Sequence, residues 1–227
     1  MQKVAFFDID GTVFRSSLLI ELVEACIREG VFSADARDGY GHAYTLWTNR
    51  EGEYNTYMEA VVKTFLKYIQ GVHYGIFADI GRKVVTEQGR QTYRYTRDLI
   101  KDLKSKGYYI VAISQSPKTV LDEFCASYGF DKVYGRIYEI GPRDCFTGRV
   151  TEIDFIQDKS KVVERVFEKE GLSRDGSIGV GDTESDIPLL ESVEMPICFN
   201  PNKILYTYAQ KQKWPVIVER KDVVYTI

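Results

Sequence analysis

Five short apolar runs of strand character recur along this chain, each closing on a polar turn, with helical stretches between them. Lys3–Phe7 runs into Asp8-Ile9-Asp10-Gly11, and Tyr108–Ile113 runs into Ser114-Gln115-Ser116. Ser177–Val180 ends at Gly181-Asp182, Met195–Phe199 ends at Asn200-Pro201, and Val216–Val218 is a short last run. Helical periodicity predicts helices over Gln91–Lys106, Pro117–Tyr128, Lys159–Glu170 and Lys203–Lys213. Strands alternating with helices of this length imply βαβ units, which bury both faces of a parallel sheet. The expected fold class is therefore α/β, a three-layer, Rossmann-like parallel-sheet core. Ligands of such sheets bind beyond the carboxyl ends of the strands. The polar residues of interest follow strands at that end, except Lys159, which opens a helix.

The rhythm breaks between Arg15 and Arg90. No convincing strand falls there, and the pattern predicts helices over Ser16–Glu29, Ser33–Asn49, Glu53–Gln70 and Tyr74–Glu87. A helical insertion this long after the first strand reads as a cap over the sheet edge. Residues 1–14 and 91–227 then form the core, and 15–90 the helical cap domain. Within the core, Val133–Glu139 and Phe146–Thr151, separated by Gly141-Pro142, read as an edge hairpin.

At 227 residues the chain has room for one large domain, or for a core with an insertion. Thirty basic and thirty-three acidic side chains leave a formal charge of −3. That balance is no footprint for wrapping nucleic acid or lying on an anionic membrane. No apolar run approaches the roughly 20 residues of a membrane span. The four cysteines (Cys26, Cys125, Cys145, Cys198) form no C-x-x-C pair and read as buried, reduced thiols. The expectation is a cytoplasmic protein with no nucleic-acid or membrane partner and no evident obligate protein partner.

Two acidic motifs carry the chemistry. Strand alternation points Asp8 and Asp10 the same way, and Gly11 lets the chain turn. Two carboxylates placed so can divide labour, one as nucleophile and the other moving protons at the leaving oxygen. Asp-Gly is also ordinary turn chemistry, and a D-x-D pair also binds metals in sugar transferases. In Gly181-Asp182-Thr183-Glu184-Ser185-Asp186, two hard oxygen donors project toward strand tips, as Mg²⁺ requires. Helix capping by Asp182 or Ser185 is the plainer reading of that stretch alone. Ser114-Gln115-Ser116 offers a hydroxyl and backbone N–H groups to an anion, or a helix start before Pro117. Lys159 stands where a helix dipole disfavours a cation, so it is either solvated or compensated by nearby anions. Lys161 competes for the same role.

Taken in order, D-x-D-G-T after a strand, Ser after a strand, Lys at a helix start and G-D-x-x-S-D after a strand resemble the haloacid dehalogenase superfamily. The match is nearest to its phosphoserine-phosphatase-like branch, and it spans essentially the whole chain. The resemblance implies a phosphatase acting on a small phosphorylated metabolite through an aspartyl-phosphate, with Mg²⁺ as cofactor. It makes Asp8 the nucleophile and Asp10 the general acid/base, with the Asp10 main-chain carbonyl near the metal. Ser114, Gln115 and Lys159 would hold the phosphate. Asp8, Asp10 and Asp182 would form the metal site, supported by Asp186 and Thr12. A phosphotransferase or mutase of the same fold, and a non-catalytic binder of phosphate ligands, are the alternatives.

Charge arithmetic supports a cation. Four clustered carboxylates against one ammonium leave about −3, and each unit pair at 4 Å is worth roughly 4 kcal/mol at an effective dielectric near 20. A phosphate dianion needs that charge reduced before it can enter. Other phosphatase chemistries lack their residues: His42 and His73 are the two histidines, and neither stands in an Arg-His-Gly motif. No cysteine is followed six residues later by arginine, and there is no P-loop.

Substrate choice would fall to the cap. Phosphoserine-specific relatives carry Glu seven residues after the acid/base Asp; here that position is Ser17, and Glu21 lies one helical turn on. Arg15 could reach an anionic end of the substrate, or simply be a surface arginine. Tyr40, Tyr44, Trp47, Tyr54 and Tyr57 could wall a cationic head group, but the i, i+4, i+7 spacing of the first three favours packing within the cap.

Overall fold

The computed structural model describes residues 1–151 and 153–227. Strand β1 (Lys3–Phe7) is followed by helices α1 (Leu18–Arg28), α2 (Gly41–Thr48), α3 (Tyr54–Ile69), α4 (Tyr74–Gln88) and α5 (Arg94–Ser105). Next come β2 (Tyr109–Pro117), α6 (Lys118–Tyr128), β3 (Lys132–Ile140), β4 (Phe146–Thr151), α7 (Ile153–Gln157) and α8 (Lys159–Glu170). The chain closes with β5 (Ser173–Gly181), α9 (Ile187–Glu191), β6 (Met195–Phe199), α10 (Lys203–Gln212), β7 (Val216–Arg220) and β8 (Val223–Thr226).

The eight strands form one sheet in the order β4-β3-β2-β1-β5-β6-β7-β8. Its centre is parallel, and β4 and β8 are antiparallel edges. Strand β1 reads as a continuous apolar run because both its faces are covered. Ala5 and Phe7 pack into one cluster with α1, α5 and α6; Val4 and Phe6 pack into the other with α8, α9 and α10. The three-layer α/β expectation matches this arrangement.

Register places the site. Phe7 pairs with Ala112 on β2 and with Val180 on β5. Asp8 therefore leaves the sheet level with Ile113 and Gly181, one residue short of Ser114 and Asp182. The carboxyl ends of three neighbouring strands converge on one point where the sheet order reverses.

Three details depart from the sequence expectation. The single helix expected over Ser33–Asn49 is broken into a 3₁₀ turn (Ala34–Gly39) and α2, with Tyr40 between them at φ −133°. Gly39 and Gly41 weaken helix there, and tertiary bonds finish the break. A Cβ at Gly39 would lie 2.3 Å from Thr64 Oγ1 of α3, and buried Tyr40 donates its hydroxyl proton to Glu24. Tyr40 thus stands outside the helix that was to hold the Tyr40–Tyr44–Trp47 stripe. Strand β2 runs on through Ser114 to Pro117 rather than stopping at Ile113. Strand β8, which pairs with β7, lies beyond the last expected run.

Helices α3 and α4 rest on the β3–β4 hairpin. Phe65 of α3 meets Tyr138 edge-on at 5.1 Å, and Phe77 of α4 meets Phe146 at 5.1 Å. The loop between those helices is stitched to β4, Gly71 N–H donating to the Phe146 carbonyl (2.8 Å) and Phe146 N–H to the Val72 carbonyl (2.9 Å).

Candidate active site

Asp8, Asp182 and Asp186 meet at the ends of β1 and β5. Each offers one carboxylate oxygen to a group whose members lie within 4.8 Å of one another. Lys159 reaches them from the first residue of α8. Its Nζ donates to Asp8 Oδ1 at 2.5 Å and to Asp186 Oδ1, and the whole side chain is buried. The anions that compensate a cation at a helix N-terminus are these two. Lys161 is instead exposed and pairs with Asp158 at 3.8 Å.

Asp186 is held from behind: its Oδ2 accepts the backbone N–H of Asp182 (2.9 Å) and of Thr183 (3.0 Å). That turn requires Gly181, since a Cβ there would stand 2.4 Å from the Asp186 Cβ. Asp182 accepts the Thr12 hydroxyl at 3.2 Å and lies against Gly11, where a Cβ would be 2.2 Å from Asp182 Oδ2. Gly11 also sits at φ +82°, a left-handed conformation that favours glycine.

Asp10 lines the same cavity but is held by other partners. Its Oδ1 accepts the N–H of Leu18 at the start of α1 (2.6 Å), and its Oδ2 accepts the Ser114 hydroxyl. Ser114 is fully buried and also accepts the Ser116 N–H at 2.9 Å. The Asp10 carboxylate is thus outside the three-carboxylate cluster.

Burial, followed by the Asp186 and Asp10 charges, pushes the Asp8 carboxyl up to about 7 against the opposing pull of Lys159. Burial and the Asp8 and Asp186 charges raise Asp182 well above the usual carboxylate range. Burial lowers the Lys159 pKa, but Asp186 and Asp8 outweigh it, and the net shift is upward. The pocket holds more negative charge than its ammonium neutralises. Hard oxygen donors on Asp8 and Asp182, in a cradle that a Cβ at Gly11 would fill, fit a small divalent cation such as Mg²⁺.

These residues open onto a cavity of about 1040 Å³. Of the sequence-derived candidates, Asp8, Asp10, Arg15, Ser17, Gln115, Lys159 and Asp182 line it. Ser114, Thr12 and Asp186 lie behind that lining. Arg15 is exposed and sits over the Tyr93 ring at 5.6 Å. Glu21 lines the cavity together with Ser17, and neither histidine does.

Sequence reasoning missed two features. Arg136 on β3 is buried in the cavity wall, donating to Gln115 through Nη2 while its Nε has no hydrogen-bond partner among the described residues. The signal was faint: one arginine inside an edge hairpin. The second is a contact between α3 and the acidic loop. Asn55 Nδ2 donates to Glu184 Oε1 at 2.7 Å, and Glu184 also accepts Asn202 Nδ2.

Residues 5–191 match the haloacid dehalogenase-like hydrolases, and the chain belongs to that family. Within it the chain falls in the phosphoserine-phosphatase-like branch. It is 24% identical to the inhibition of morphological differentiation protein of Streptomyces azureus, over 95% of this chain and 78% of that one. It is 22% identical to a phosphoserine phosphatase of Archaeoglobus fulgidus, over 90% of this chain but 54% of that one. Among solved structures, a Bordetella pertussis Tohama I protein of unknown function superposes with a TM-score of 0.77, at 20% identity over 95% of this chain and 98% of the other. Phosphoserine phosphatase in its apo form superposes with a TM-score of 0.67, at 18% identity over 98% and 96%. Among the described residues no helix is long and apolar enough to cross a membrane.

Proposed function

We propose that this chain is a Mg²⁺-dependent phosphomonoesterase that hydrolyses a small phosphorylated metabolite through an aspartyl-phosphate on Asp8. The observation that carries the reading is the paired placement of Asp8 and Asp10. One carboxylate faces the cavity beside a buried ammonium; the other is held apart by Leu18 N–H and Ser114. We take residues 15–90 as the cap over the site.

In the first step an Asp8 carboxylate oxygen bonds to phosphorus as the bond to the leaving oxygen breaks, and Asp10, acting as general acid, passes a proton to that oxygen. In the second, Asp10 takes a proton from water as the water oxygen bonds to phosphorus and the Asp8–phosphorus link breaks, releasing phosphate. Lys159 favours the ionised form of Asp8 and faces the transferring group. Gln115 and the backbone N–H groups at the carboxyl end of β2 receive phosphoryl oxygens, and Ser114 joins them once its hydroxyl turns away from Asp10. Asp8, Asp182 and the Asp10 main-chain carbonyl would hold Mg²⁺, with Asp186 and Thr12 fixing Asp182. The bound ion supplies charge neutralisation for a loose, highly anionic transition state. A cytoplasmic setting suits four unpaired cysteines, three of them buried.

Phosphate release from a panel of phosphomonoesters, with Mg²⁺ and with excess chelator, tests the reading. Turnover that chelator abolishes supports it. Turnover indifferent to chelator, or none with any ester, contradicts it. Enhanced product formation with added acceptor alcohols would assign phosphotransfer instead.

A further inference from the structure

Helix α3 carries one broad apolar face, and the fold buries only part of it. Tyr57, Val61, Phe65 and Ile69 are buried within the helical layer. The adjoining stripe, Tyr54, Met58, Val62 and Leu66 at four-residue spacing, packs partly against the core, each residue half-buried and each lining the cavity. At 1.5 Å per residue the stripe is about 18 Å long. Its first end lies at the catalytic carboxylates, where Asn55 is bonded to Glu184 of the Asp182 loop. Its far end lies at the β3–β4 hairpin, where the Leu66 carbonyl closes on Gly148. Ile20 of α1 and Trp47 of α2 contribute further apolar lining.

A face with i, i+3, i+4, i+7 spacing is ordinarily turned whole onto the core. An apolar edge left part-exposed in a cavity marks a surface for an apolar ligand. The cavity, about 1040 Å³, is at the upper end of sites that enclose drug-sized molecules, so a short polar ester would fill only a fraction of it. The aromatic rings nearby do not form an open cage for a cation. Trp47 stacks on Tyr57 at 5.5 Å and 13°, and Tyr44 and Tyr54 pack against the same pair.

We propose that the preferred substrates are phosphomonoesters whose leaving group carries an extended apolar body, laid along the Tyr54–Met58–Val62–Leu66 stripe while the phosphate sits at Asp8. This inference rests on the phosphomonoesterase reading and adds the class of leaving group. The stripe acts on specificity: each methylene buried along it contributes to kcat/KM without altering the chemistry at phosphorus, because the leaving-group alcohols of a linear alkyl series have nearly the same pKa.

The test is a chain-length series with Mg²⁺ and monomeric ester: ethyl, butyl, hexyl and octyl phosphate, with phosphoserine and nitrophenyl phosphate alongside. The expected result is a kcat/KM that rises about two- to fourfold per added methylene over part of the series, and at least about 30-fold from ethyl to octyl. Phosphoserine should be no better than ethyl phosphate. In Val62→Asp and Met58→Ser the octyl-to-ethyl ratio should fall at least about tenfold. Should a variant not fold, inhibition of the unmodified protein by alkylphosphonates decides, with potency rising along the same series. A flat chain-length profile, or a preference for phosphoserine over octyl phosphate, overturns the inference while leaving the phosphomonoesterase reading intact. No phosphate release from any ester, nitrophenyl phosphate included, overturns both.

Discussion

Lys159 and Asp186 form a buried ion pair whose carboxylate is also pinned by the backbone N–H groups of Asp182 and Thr183. The contact fixes the only cation in the carboxylate cluster, among the described residues, relative to the loop that carries Asp182. The second donor contact of Lys159 goes to Asp8. One ammonium therefore ties the ends of β1 and β5 to the start of α8.

Removing that ammonium should cost both stability and activity. Lys159→Met leaves Asp8 and Asp186 buried without their counter-charge, a loss on the order of 3–5 kcal/mol at neutral pH. Denaturant unfolding at pH 7.5 and pH 5 checks it. The defect should shrink at pH 5, where the raised Asp8 carboxyl takes up a proton; an equal defect at both pH values contradicts this role for the charge.

Asp8 itself predicts how stability depends on pH. Its folded pKa, about 7, is above the ordinary 3.8. Between those values the folded state holds more protons than the unfolded, so this group's contribution to stability falls as pH rises through that window. The raised pKa of Lys159 keeps its own contribution intact there. The metal-free protein should therefore lose about 5 °C of Tm between pH 5 and pH 8, and Mg²⁺ should restore more at pH 8 than at pH 5. Thermal melts with and without Mg²⁺ decide it, and an equal Mg²⁺ increment at both pH values would refute the charge argument.

Asp10 should be separable from Asp8 by leaving group. With alkyl phosphates, Asp10→Asn should lower kcat about 10²–10⁴-fold. With nitrophenyl phosphate, whose leaving group needs no proton, the loss in the first step should be much smaller. Pre-steady-state kinetics would read that step directly, and equal losses with both esters speak against proton donation by Asp10.

Gly11→Ala tests the cradle around Asp182. The new Cβ would meet a carboxylate oxygen at 2.2 Å, on a backbone at φ +82°. Titration calorimetry should show Mg²⁺ affinity reduced at least about tenfold, the scale seen when groups that position metal ligands are lost. Unchanged affinity in a folded variant would remove Asp182 from the metal site.

Arg136 should contribute to anion binding, since its guanidinium is buried beside Gln115 in the cavity wall. Arg136→Gln should raise KM for phosphomonoesters, and inorganic phosphate should inhibit the variant less. Identical phosphate inhibition in both proteins would make the residue purely structural.

The core and its chemistry were legible because each motif follows an apolar run, and parallel strands bring their carboxyl ends together whatever lies between them in sequence. Asp8, Asp182 and Lys159 could be read in this way. The bend at Tyr40 could not, because it depends on Thr64 and Glu24, distant in sequence. The role of Arg136 was hidden for the same reason: only the β2–β3 register, pairing Pro117 with Arg136, brings it beside Gln115. The cavity-side edge of the α3 apolar face was not legible because half-buried apolar residues look like core until a cavity is found against them.

The most direct measurement is rapid chemical quench of the Mg²⁺-loaded protein turning over a phosphomonoester, followed by peptide mapping of covalently bound phosphate. The account predicts phosphate esterified to the Asp8 side chain, forming and decaying at rates compatible with turnover and missing in Asp8→Asn. Turnover with no protein-bound phosphate at any time, or with the phosphate on another residue, would contradict it.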